Sequence, residues 1–75
     1  MISVTVGTNL SRETIIVPPA TTIKKVLEEN HVNYEKASLH LDGAVLKSGE
    51  INKTLADFGI TERCSIIAVT KIDNA

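Results

Sequence analysis

The sequence predicts an α+β fold, a mixed ββαββ sheet with one further short strand, packed on a single helix. Three observations carry that expectation. Thr21 to Asn30 is the one stretch with convincing helical periodicity: Ile23, Val26 and Leu27 fall at i, i+3 and i+4 and form one apolar stripe. On either side the chain alternates, or runs apolar in short bursts bounded by turn residues, as strands do. A helix of about three turns is marginal alone, so a sheet must hold its stripe.

Taken in order, Met1 to Val6 sets Ile2, Val4 and Val6 against Ser3 and Thr5, a strand with one buried face. Gly7 to Ser11 is turn chemistry, and Arg12 to Val17 returns as the second strand of a hairpin. A register with Val4 opposite Ile15 and Ile2 opposite Val17 makes the inner face apolar. It leaves Ile16 outside and Glu13 at the inner edge, and a slip by one would reverse every side chain. Pro18-Pro19 ends that strand. Thr21 is expected to cap the helix, and Asn30 to close it in the left-handed conformation. His31 to Ser38 is polar and loop-like.

Leu39-His40-Leu41 then alternates, Asp42-Gly43 is a turn signal, and Val45-Leu46-Lys47 is expected as a short return strand. Ser48-Gly49-Glu50 turns again. Asn52 to Phe58 reads as one helical turn, with Gly59 permitting a sharp exit and Ile60 returning to the core. Cys64 to Lys71 is the longest apolar run and reads as a central strand. The first and last strands can pair in parallel, because the segment between them is long enough for the crossover. The domain is expected to span residues 1–72, with 73–75 as a short frayed tail.

Totals bound the function. A domain of 75 residues buries only about 60% of its unfolded surface. With no Trp, one Tyr and one Phe, its core must be aliphatic. A net charge of −1 argues against nucleic acid as a partner. Lone Cys64 excludes an internal disulfide, and one Cys with two His is a poor basis for a metal site, so neither metal nor cofactor is expected. No apolar run approaches the ~20 residues of a membrane span, and the N-terminus has no signal-peptide pattern. The expectation is a cytoplasmic monomer without membrane contact.

Nor is an enzyme expected: the chain has no Gly-rich phosphate loop, zinc spacing or triad pattern. Cys64 reads as structural, since a nucleophilic Cys needs a partner that lowers its pKa and Arg63 is weak support. Asp42 and Asp57 sit in turn-like segments where Asp serves local hydrogen bonding. His31 reads as a surface or capping residue. Lys24, Lys25, Glu28 and Glu29 form a solvated helix face.

Three stretches resemble ubiquitin and the wider β-grasp family: Val17-Pro18-Pro19-Ala20-Thr21-Thr22-Ile23-Lys24-Lys25-Val26, Leu39-His40-Leu41-Asp42-Gly43-Ala44-Val45-Leu46, and Lys53-Thr54-Leu55-Ala56-Asp57-Phe58-Gly59-Ile60. The last is similar to the family's Thr-Leu-x-Asp-Tyr-x-Ile segment, with Phe58 in the aromatic place. Each motif is loose, but their order and spacing cover residues 1 to 71. The resemblance implies a partner-binding surface on the sheet face away from the helix, at positions Leu10, His40, Ile67 and Val69. Here His40 stands where the family has an aliphatic residue. Ubiquitin and the related sulfur carriers act through a tail ending Gly-Gly, whereas this sequence reads Lys71-Ile72-Asp73-Asn74-Ala75 and its last glycine is Gly59. A modifier or sulfur carrier is therefore disfavoured.

The same face follows from alternation alone. If Ile66 and Ala68 meet the helix, Ile67 and Val69 must point outward. Two β-branched residues there can serve strand propensity only, whereas a grouped apolar area of a few hundred Å² signals interaction. A histidine beside them can add polar selectivity or pH sensitivity, or be simply an outward polar residue. The expected function is a non-covalent interaction module that binds a protein partner through Leu10, His40, Ile67 and Val69. The alternative is a small accessory subunit of a larger enzyme or secretion complex, docked by strand addition at a sheet edge.

Overall fold

The computed structural model describes residues 1–35 and 37–70. Among these residues five strands, β1 (Ile2–Thr8), β2 (Arg12–Val17), β3 (Ala37–Leu41), β4 (Ala44–Val45) and β5 (Arg63–Thr70), form one sheet in the order β2-β1-β5-β3-β4. One helix, α1 (Ile23–Glu29), crosses it between β2 and β3, and two 3₁₀ turns (Ser48–Asn52 and Ala56–Phe58) lie between β4 and β5. The expected bounds at Lys71 and in the tail fall outside the described residues.

The sheet is built by the predicted pairings. Ile2 faces Val17 and Val4 faces Ile15 across the antiparallel β1–β2 hairpin. β1 runs parallel to β5 at the centre, with Val4 beside Cys64 and Val6 beside Ile66. Every second residue of these strands then lands on α1. Ile2, Val4, Val6, Leu39, Leu41, Cys64, Ile66 and Ala68 are buried together with Ile23, Val26, Leu27 and Leu55. That largely aliphatic cluster is the core, and among the described residues no polar or charged one is buried.

Several local expectations are corrected. β1 runs on through Gly7 and Thr8, because the turn is tighter than expected: Thr8 N–H donates to Ser11 O at 2.8 Å, and Thr8 Oγ1 accepts from Leu10 N–H at 3.1 Å. A Cβ on Gly7 would lie 2.1 Å from the Ser11 carbonyl oxygen, so only glycine fits. β3 begins at Ala37 rather than Leu39, since Ala37 and Ser38 already pair with Thr70 and Val69. β4 is Ala44–Val45 instead of Val45–Lys47. Asp42 (φ 51°) and Gly43 (φ 89°) make a two-residue turn of type I′, so pairing starts at Ala44. Lys47 is drawn into the next turn, where its N–H donates to Glu50 Oε1 at 2.9 Å.

The N-cap shifts by one residue, and at the other end Asn30 remains the C-cap while the left-handed conformation moves one residue on. Thr22, not Thr21, is the N-cap: its Oγ1 accepts from Lys25 N–H at 3.1 Å. Thr21 is committed elsewhere, its carbonyl accepting from Leu55 N–H at 3.0 Å. Asn30 is not left-handed (φ −101°), and the left-handed residue is His31 (φ 57°). His31 N–H donates to Glu28 O at 3.2 Å and Val32 N–H to Leu27 O at 2.9 Å, the paired bonds of a Schellman motif. His31 is thus a capping residue by backbone.

Downstream, Thr54 and Asp57 cap the second 3₁₀ turn reciprocally. Thr54 N–H donates to Asp57 Oδ2 at 2.9 Å, and Asp57 N–H to Thr54 Oγ1 at 3.1 Å. Gly59 (φ 75°) makes the exit and Ile60 packs on the core, as expected.

Candidate partner-binding surface

The sheet face turned away from α1 is set by the same alternation that fills the core. Reading across it in register, Val45 on β4 faces His40 on β3, which faces Ile67 on β5, which lies beside Gly7 on β1. Two residues along β5, Val69 faces Ser38. His40, Ile67 and Val69 therefore share one face over adjacent strands. Their exposure fits that placement: Ile66 and Ala68 are buried, Ile67 and His40 are half-buried, and Val69 is 36% exposed.

Val45 belongs to this row and escaped the sequence reading. It is 66% exposed and opposes His40 directly. The signal was present: a two-residue Asp42-Gly43 turn forces Leu41 opposite Ala44, hence His40 opposite Val45. Leu10 is different. It lies in the β1–β2 turn and is 91% exposed, so it is packed into nothing. The hairpin tip stands at the Val69 end of β5, since Thr8 pairs with Ala68, but the surface the structure assembles is Val45, His40, Ile67 and Val69.

Gly7 gives this surface a border. It puts no side chain on this face between Ile67 and Arg12, which pairs with Gly7 on the far side. Beyond it the face turns polar: Thr5 Oγ1 lies 3.3 Å from Thr14 Oγ1, and Ser65 sits beside Thr5. Ile16, 60% exposed, lies across Ser3 from Arg63 and is cut off from the aliphatic group. The outward aliphatics Val45, Ile67 and Val69 thus lie on the β4-β3-β5 half of the sheet, with His40 between Val45 and Ile67.

Asp42 closes the polar half in a way that local turn chemistry does not describe. Its Oδ1 accepts from Ser65 N–H at 2.8 Å and from Ser65 Oγ at 3.4 Å, a contact 23 residues away in sequence. The carboxylate ties the β3–β4 turn to β5 and fixes the row that carries His40. Asp57, by contrast, is local as expected. The Thr54 N–H, and the Thr54 hydroxyl with it, hold its carboxyl below the ordinary value of 3.8.

Cys64 is buried at the start of β5, and burial, aided by the charge of Asp42, pushes its pKa up to about 11. A thiol so raised is protonated at neutral pH and is a poor nucleophile. Among the described residues, no group of three His, Cys, Asp or Glu side chains is placed to hold a metal ion. No helix there is long and apolar enough to cross a membrane.

No protein-family model and no curated protein matches the chain. Solved structures do. The ubiquitin-like domain of an Arabidopsis thaliana protein is similar over 99% of this chain and 81% of its own, at 24% identity and a TM-score of 0.72. A Trypanosoma brucei ubiquitin-like protein is similar over 95% of each chain, at 22% identity and a TM-score of 0.70. Ubiquitin of Caldiarchaeum subterraneum is similar over 99% of this chain and 98% of its own, at 17% identity and a TM-score of 0.66. The fold is thus the ubiquitin-like β-grasp. At these identities the likeness speaks for the fold, and the surface must speak for the function.

Proposed function

We propose that the protein is a non-covalent interaction module that docks a protein partner on the outer sheet face. The observation that carries this reading is the unbroken row Val45–His40–Ile67 with Val69 beside it, three aliphatic side chains and one imidazole kept out of the core by strand alternation. Scattered surface aliphatics need no explanation, but a grouped set does. The aliphatic groups supply the apolar contact, and His40, between Val45 and Ile67, supplies a donor and acceptor that rewards a matching polar group. Leu10 can join from the hairpin tip when a partner covers that end. A patch of this size fits a weak or transient complex. The protein works without catalysis or cofactor in this reading, as a monomer in the cytoplasm.

A second reading has its own support. β2 is an edge strand, so the outer N–H and C=O groups of its alternate residues face no other strand among the described residues. An accessory subunit of a larger assembly could dock there by strand addition. The two readings separate cleanly. Affinity capture of a partner, followed by amide shift mapping, should move Ser38, His40, Val45, Ile67 and Val69. Slowed amide exchange confined to Arg12–Val17 would instead favour the edge. A mass shift showing the chain covalently joined to another protein would overturn both in favour of a modifier.

A further inference from the structure

We draw no further inference here: the strongest candidate, the apolar groove between the free edge of β2 and α1 lined by Ile15, Val17, Ala20 and Val26, is an unpartnered face with nothing in the structure to show what covers it.

Discussion

Asp57 and Cys64 show how single side chains are tuned by what lies within a few ångströms. The Asp57 carboxylate is held by Thr54, so its folded pKa lies below the ordinary one. A group depressed in this way contributes stability that is full above its unfolded value and is lost as pH falls through its folded value. Asp57→Asn should therefore be less stable than the parent at neutral pH. The gap between them should close as pH drops below about 4, measured by urea unfolding across that range. A gap that stays constant down to the acid limb would show that the charge of Asp57 is irrelevant. Cys64 runs the other way, its thiol raised by burial. Alkylation by iodoacetamide at pH 7 should be at least about a hundredfold slower in the folded protein than in the urea-unfolded chain. Equal rates would mean an accessible or activated thiol, and a chemistry that the present account does not contain.

At the scale of elements, α1 and its two ends decide how much of the fold the sequence can reveal. Ile23, Val26 and Leu27 are buried to the last atom or nearly so, and their spacing announced it. Leu27→Ala should cost about 2–5 kcal/mol in thermal or urea unfolding, as truncation in a packed core does. The caps were harder to read because the deciding bonds are not local. Thr21 and Thr22 are chemically equivalent N-caps, and only the Thr21 carbonyl's bond to Leu55, 34 positions on, settles which one turns into the helix. At the other end the left-handed residue is His31, which pays a Cβ penalty that glycine does not. His31→Gly should stabilise the protein by about 0.5–1 kcal/mol, once the entropy of the unfolded glycine is set against the relieved strain. A loss of stability would show that the His31 side chain itself holds the helix end.

Strand pairings were legible where alternation was strong. The hairpin register and the parallel β1–β5 pair follow from Ile2, Val4, Val6, Ile15, Val17 and Ile66, each on the face its neighbours require. The surface was legible to the same extent: once Ile66 and Ala68 go inward, Ile67 and Val69 must go outward. Val45 was missed because β4 has only two residues, too short to show a period of its own. Its place follows from the geometry of the Asp42-Gly43 turn. Leu10 came from family resemblance, and no packing among the described residues holds it to the patch.

For the whole molecule, the division of labour is plain: one sheet face makes the core with α1, and half of the other carries aliphatic side chains that nothing among the described residues covers. The direct test is the affinity of the Ile67→Asp, Val69→Asp double variant for the captured partner, read by titration alongside its amide spectrum. The account predicts a dispersed, folded spectrum and binding weakened by at least about 30-fold, the loss expected when central contacts of an interface are removed. Undiminished affinity from the folded variant would contradict it and move the interface elsewhere, the free β2 edge first. A collapsed spectrum would contradict it more deeply, by showing that Ile67 and Val69 belong to the core.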